Sequence, residues 1–149
     1  MAEPTLRQAR REDLPAILAL LADDALGRTR EGGADARVEA AFDAIERDPN
    51  NAIWVIDLDG AVAGCAQLTF IPGLARRGLR RAQIEAVRVA SDRRGGGLGR
   101  WFFEALIDVA RREGCGLVQL TSDKRRADAH RFYERLGFQA SHEGYKLWL

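Results

Sequence analysis

The sequence predicts an α/β fold, and three observations carry that prediction. Apolar residues recur at helical spacing in four separate segments. Two alternating apolar runs flank Asp59-Gly60, and the second half runs strand, helix, strand. With 149 residues, 46% of them hydrophobic and 30% charged, the chain has the size and composition of one globular domain, 1–149, able to bury a real core.

Each element follows from its local pattern. Thr5 to Arg10 alternates like a short strand, and Pro15 suits the first turn of a helix with Leu14, Ile17, Leu18 and Leu21 on one face. A polar, glycine-containing loop follows from Gly27 to Arg37. Val38, Ala41, Phe42 and Ile45 then mark a second helix, which must end before Asp48-Pro49 because the residue preceding proline is driven out of the helical region.

From Asn51 the period changes to two. Asn51–Leu58 and Ala61–Phe70 are predicted antiparallel strands joined through Asp59-Gly60, a strong short hairpin signal. Gln83–Ala90 is a strand, Leu98, Phe102, Leu106 and Val109 form the buried stripe of a third helix, and Gly116–Ser122 is another strand. Ala129, Phe132, Tyr133 and Leu136 fall at i, i+3, i+4 and i+7 of a last helix that stops at Gly137. Gly144–Leu149 is a terminal strand candidate.

Charge and cysteine content narrow the function classes. Twenty-three basic against 22 acidic side chains give a net charge of +1, which argues against a protein built to coat nucleic acid or an anionic membrane. The N-terminal residues lack the apolar core of a signal peptide, and the longest apolar run, Ala16–Ala22, is too short to span a bilayer, so a cytoplasmic location is expected. Cys65 and Cys115 are isolated, and with His130 and His142 they form no metal-ligand pattern. Two indifferent thiols in a reducing compartment are the expectation.

The stretch Arg93 to Arg100, RRGGGLGR, is the strongest chemical signal. A helix start exposes unpaired N–H groups and the positive end of the helix dipole, and glycine leaves that backbone bare enough for phosphate oxygens to approach. A Walker A loop is excluded because Arg100 and Trp101 follow Gly99, and the dinucleotide pattern fails at Phe102. On its own the loop would serve equally as flexible surface.

Its setting decides between the two. Strand Ile84–Val89, then Arg94-Gly95-Gly96-Gly97-Leu98-Gly99, then an amphipathic helix resembles motif A of the GNAT N-acetyltransferase superfamily, Gln/Arg-x-x-Gly-x-Gly/Ala. Arg94, Gly97 and Gly99 stand at the three fixed positions. Ala129 to Phe138, AHRFYERLGF, resembles motif B of the same family, in which a helix carrying A-x-x-F/L-Y ends at G-F. The resemblance covers residues 83 to 138, and over residues 1 to 70 it is one of architecture.

The resemblance implies a GNAT-like acyl-CoA N-acyltransferase fold, with a mixed, mostly antiparallel central sheet, splayed middle strands and about four flanking helices. It implies acetyl-coenzyme A (acetyl-CoA) as co-substrate, its pyrophosphate held by Arg94, Gly95, Gly96, Gly97, Leu98, Gly99 and Arg100, and its pantetheine arm paired with main-chain groups of Val87 and Val89. The strands corresponding to Glu85–Val89 and Leu117–Thr121 are expected to part at a bulge.

Acyl transfer to an amine needs a neutral nucleophile, because an alkyl ammonium, with a pKa of about 10.4, cannot attack until it is deprotonated. Glu85 is the expected base. By period two it shares a face with Val87 and Val89, and a carboxylate on an otherwise apolar face accepts a proton more readily. The competing account is a glutamate in a salt bridge at a sheet edge. Tyr133, at the family's tyrosine position, is the expected acid: a phenol titrates at about 10 and a thiol at about 8.5, so the phenol still holds its proton when the thiolate leaves. Its helical stripe also suits a packing role, and both can hold.

One departure concerns Arg126, which occupies a position where many family members carry asparagine, so that residue's role does not transfer. Lys124, Arg125 and Arg126 fit a solvated helix start better than a phosphate site. Arg76, Arg77, Arg80 and Arg81 lie where the family often places acceptor or dimer contacts, although a charge run is usually solvated surface. His130 is assigned no role.

The expected function is transfer of acetyl from acetyl-CoA to a primary amine of a small molecule by direct attack in a ternary complex. The thiols lack motif support as acyl carriers. A protein lysine or N-terminal acetyltransferase is one alternative, and a non-catalytic acyl-CoA-binding module is another. Nucleic acid and membranes are not expected partners, and a homodimer is left open.

Overall fold

The computed structural model describes residues 2–23, 32–33 and 35–149. They divide into two compact units, Met1–Gln119 and Leu120–Leu149. Much of the polar loop expected over Gly27–Arg37 lies outside the described residues.

The first unit is built on a five-stranded mixed sheet in the order β1-β2-β3-β4-β5, made of Thr5–Gln8, Asn51–Leu58, Ala61–Ile71, Arg81–Val89 and Leu117–Gln119. Neighbours from β1 to β4 are antiparallel, and β5 joins β4 in parallel. Asp59 and Gly60 both take positive φ, 54° and 82°, the backbone that a two-residue hairpin turn needs to match the twist of its strands.

Helix α1 (Leu14–Ala22) carries proline in its first turn and packs on β3 and β4, while α2 (Ala36–Arg47) packs on β2. Asp35 caps α2 by accepting from the amides of Arg37 and Val38, at 3.0 and 3.1 Å, and α2 ends before Asp48-Pro49 as predicted. A single turn, α3 (Ala75–Gly78), precedes β4. Helix α4 (Leu98–Arg112) connects β4 to β5 and buries Phe102, Phe103, Leu106, Val109 and Ala110.

Register assigns each sheet face its residues. Leu68 stands opposite Ile84 and Phe70 opposite Ala82, so these four buried residues share a face. The alternating positions, with Gln67 opposite Glu85 and Thr69 opposite Gln83, lie on the face of Cys65. There Ile17, Leu20, Val55 and Cys65 form a buried apolar cluster.

The second unit holds α5 (Ala127–Arg135) and the chain after it. Phe132 and Phe138 both meet the Tyr133 ring edge-on, with centroids 5.7 and 6.0 Å away. The terminal strand expected at Gly144–Leu149 is absent: residues 138–149 form no regular element. A strand exists only as a member of a ladder, so composition alone does not make one. β5 is also shorter than expected, three residues long. No helix among the described residues is long and apolar enough to cross a membrane.

Candidate active site

The glycine stretch lies where β4 hands over to α4. A 3₁₀ turn, Ser91–Arg93, follows β4, and Gly97 is the N-cap of α4. Gly95 and Gly97 have φ of 86° and 82°, left-handed conformations that an L side chain rarely adopts. Gly96 has no such constraint: a Cβ there would meet nothing within 4 Å, so the space around that backbone is open. No side chain caps α4. The first-turn amides of Leu98, Gly99 and Arg100 are thus left for an anion. The Arg94 side chain donates through Nε to the carbonyl of Val89 at 3.2 Å, and Arg100 pairs with Glu104 one turn on at 3.0 Å.

The next feature is the partial pairing of β4. Its parallel ladder with β5 joins Arg81, Ala82 and Gln83 to Leu117, Val118 and Gln119, while β4 runs on to Val89. The Ala90 amide donates to Ala63 across β3 at 2.9 Å. By strand alternation, the main-chain groups of Val87 and Val89 therefore point the other way, along the edge beyond the end of the β5 ladder. On that edge the carbonyls of Val87 and Val89 accept from Arg88 Nη1 at 2.8 Å and Arg94 Nε at 3.2 Å, next to the bare helix start.

Glu85 lies at the bend in β4, and its surroundings differ from those expected. Between Gln67↔Glu85 and Cys65↔Arg88, β3 advances two residues while β4 advances three, and Ala86 takes a φ of 52°. This bulge shifts the alternation by one residue. Glu85 consequently shares its face with Arg88, which stands opposite Cys65, while Val87 and Val89 fall to the other face. Glu85 is exposed, and its hydrogen-bonding neighbours on that face are polar side chains: the Gln83 side-chain amide donates to Glu85 Oε1 at 3.1 Å, and Gln119 donates to Gln83 Oε1 at 2.9 Å. Opposite Glu85, Gln67 donates to Asn51 Oδ1 at 3.0 Å.

Beside the bulge is a small cavity of about 60 Å³ lined by Ile17, Leu21, Ile53, Cys65, Gln67 and Ala86. Burial pushes the Cys65 thiol up to about 12, so almost no thiolate is present to act as a nucleophile. Burial also raises the Cys115 thiol.

The remaining sequence candidates separate by environment. Tyr133 lies in the second unit, half-buried on α5. Arg80 donates to Asn50 Oδ1 at 3.0 Å and its guanidinium lies over the Phe70 ring, whereas Arg76 and Arg77 are exposed, with φ of 56° and 62°. Arg125 grips Asp123 with two nitrogens, both at 2.9 Å, and Lys124 lies 3.6 Å from Glu143. His130 Nε2 is 2.9 Å from the Asp123 carbonyl oxygen.

The sequence profile of the Acetyltransferase (GNAT) family matches residues 14–138. The chain belongs to this family. It is an acetyltransferase with the GNAT fold, and its relatives agree. An L-methionine sulfoximine/L-methionine sulfone acetyltransferase of Pseudomonas paraeruginosa is 33% identical over 142 residues, covering 92% of this chain and 81% of that protein. Glucosamine 6-phosphate N-acetyltransferase of Trypanosoma brucei brucei is 35% identical over 88 residues, 59% of this chain and 58% of that one. Among solved structures, one described as a transcriptional regulator from Bacillus halodurans C-125 superposes with a TM-score of 0.95 at 43% identity, covering 99% of this chain and 100% of that one.

The residues that share the face of Glu85 or are hydrogen-bonded around it and that sequence reasoning did not single out are Gln67, Gln83, Gln119 and Arg88. Gln83 and Glu85, two apart in one strand, gave a usable signal for a shared face. Arg88 gave none, because an alanine at positive φ leaves no mark in a sequence.

Proposed function

We propose that the chain works as one domain, 1–149, that transfers acetyl from acetyl-CoA to a primary amine of a small molecule. The observation that carries this reading is the uncapped first turn of α4 next to the stretch of β4 that runs on past the β5 ladder, where the carbonyls of Val87 and Val89 accept from the side chains of Arg88 and Arg94, at 2.8 and 3.2 Å. Gly95 to Arg100 would hold the pyrophosphate, with Arg94 alongside, and Val87 and Val89 would pair with the pantetheine arm. The fit is supported by the empty space around Gly96 and the absence of a side-chain cap on α4. When bound, acetyl-CoA supplies the activated acetyl thioester.

Glu85 takes a proton from the incoming ammonium, directly or through one water, so that the neutral amine can attack. Gln83 fixes its carboxylate by donating to Oε1. Tyr133 donates its phenolic proton toward the departing sulfur, its ring held by Phe132 and Phe138. Buried Cys65 is unsuited to carrying an acyl group, which favours direct transfer. The two free thiols fit a reducing, cytoplasmic setting.

The small-molecule acceptor is supported by relatives named for methionine sulfoximine and glucosamine 6-phosphate. The regulator description carried by the Bacillus halodurans structure is not extended to this chain, whose net charge of +1 offers little to nucleic acid.

The test is calorimetry and thermal unfolding with coenzyme A, followed by thiol release from acetyl-CoA with a panel of amines. A raised melting temperature and sustained turnover with at least one amine are expected. No heat and no shift at saturating coenzyme A would remove the cofactor assignment. Binding without turnover across peptides and metabolites alike would leave an acyl-CoA-binding module.

A further inference from the structure

We infer that the cavity beside the bulge in β4 selects the acceptor, by taking a short hydrocarbon arm that the amine carries. This rests on the acetyl-transfer reading above and narrows its substrate class to small primary amines with an aliphatic tail. The walls come from three elements. Ile17 and Leu21 of α1, Ile53 of β2, and Cys65 and Ala86 at the bulge are apolar, and Gln67 is the polar side chain among the described lining residues.

The cavity lies within reach of the expected base. Glu85 precedes Ala86 in the chain and stands opposite Gln67 across the ladder of β3 and β4. Its Cα is therefore about 3.8 Å from that of Ala86 and roughly 4.5–5.5 Å from that of Gln67. An amine delivered to Glu85 has its carbon chain at the cavity mouth. Cys65 Sγ lies 3.7 Å from the Ala86 carbonyl oxygen, so the thiol closes the wall against the bulge.

Lining and size decide what enters. Aliphatic walls offer a charged or polar group no hydrogen-bond partner, so hydrocarbon is what gains by burial there. An apolar cavity of about 150 Å³ holds a benzene ring, and on that scale the 60 Å³ here holds roughly two to three carbons. Loose packing is a poor account of the space. Ile17, Val55 and Cys65, in the cluster bordering it, are only 4%, 0% and 2% exposed, and native interiors keep few voids larger than a water. The room comes instead from small side chains, a cysteine at 65 and an alanine at 86, where a φ of 52° disfavours any bulky or β-branched residue.

Thiol release from acetyl-CoA with n-alkylamines, from methylamine to hexylamine, tests the inference in the parent chain and in Leu21→Ala and Cys65→Met. In the parent, kcat/KM should rise roughly 4-fold per added carbon as far as propylamine or butylamine, and then fall. Leu21→Ala enlarges the cavity and should move the optimum to pentylamine or hexylamine. Cys65→Met fills it and should move the optimum to methylamine or ethylamine. Leu21 is half-buried, so its variant should keep the parent's circular dichroism and coenzyme A affinity. Rates that ignore chain length, or an optimum unmoved in both variants, would overturn the inference and leave acetyl transfer standing. A second measurement needs no turnover: the methyl resonances of Ile17 and Ile53 are followed by NMR as propylamine is added to the protein with coenzyme A bound. Saturable shifts are expected, and they should weaken in Cys65→Met. Silent methyls would overturn the pocket, whereas saturable shifts without acetylation of any amine would remove the activity and still support the pocket.

Discussion

The side-chain amide of Gln83 donates to Glu85 Oε1 at 3.1 Å, two residues along the same strand and just before the bulge at Ala86. Gln83 in turn accepts from Gln119 on β5, so the carboxylate is oriented by a short relay across two strands. Glu85→Gln should lower turnover by roughly 10²- to 10⁴-fold, with a residual rate that climbs with pH as more of the amine becomes neutral unaided. Gln83→Leu should reduce turnover less and leave the affinity for coenzyme A unchanged. Initial rates of thiol release across pH report both.

For Tyr133 the prediction concerns the other limb of the profile. Tyr133→Phe keeps the ring contacts with Phe132 and Phe138, so the melting temperature and coenzyme A affinity should hold. Turnover should fall and the descending limb at high pH should flatten, because that limb reports loss of the phenolic proton. Full activity with an unchanged profile would make Tyr133 a packing residue.

The glycines should not respond alike. Gly97→Val forces a side chain onto a backbone with φ of 82° and should cost both stability and ligand binding. Gly96→Val, with open space around its Cβ, should melt close to the parent temperature yet bind coenzyme A far more weakly. Paired melting and titration curves separate strain from obstruction.

A pH effect on stability should arise far from the site. Arg7 donates to both carboxylate oxygens of Asp13, at 2.8 and 3.1 Å, and to Asp57 at 2.8 Å, and the side-chain hydrogen bonds from Arg7 are the main cause holding both carboxyls below their ordinary range. Asp13 also accepts from the Arg10 amide at 2.7 Å and is buried. A folded-state value below the unfolded one means stability that is present above about pH 4 and lost as pH falls through the folded value. Asp13→Asn should destabilise by about 2–4 kcal/mol at pH 7 and flatten the decline in melting temperature between pH 5 and 3.

The two thiols should differ in reactivity. With its thiol pushed up to about 12 by burial, Cys65 should stay silent to Ellman's reagent at pH 8 in the native protein and titrate only after unfolding. Cys115, half-buried, should react slowly but measurably in the native protein. Rapid labelling of both would mean that the α1 face of the sheet opens readily.

Much of this architecture was legible because local chemistry and global fold agree. Asp59-Gly60 has no comfortable alternative to a tight hairpin, Asp48-Pro49 must stop a helix, and glycines between a strand and an amphipathic helix signal bare backbone. What was hidden depended on tertiary pairing. The bulge at Ala86 is set by the register of β3 against β4, and it moved Glu85 from an apolar face to one shared with Gln67, Gln83 and Arg88. The same holds for the chain end: Gly144–Leu149 has a strand's composition, but forming a strand requires a neighbour that composition does not supply.

The open edge of β4 has a consequence for inheritance. If recognition there runs through the amides and carbonyls of Val87 and Val89, no codon spells it. Val87→Ile or Val89→Ala changes what packs beneath the strand and leaves the row of polar groups in place. A saturation mutagenesis map of this segment would chart the core and look blank for the ligand. Proline, which deletes an N–H, would be the one substitution to betray it. A lineage could therefore drift widely along this strand while its cofactor contacts stayed the same.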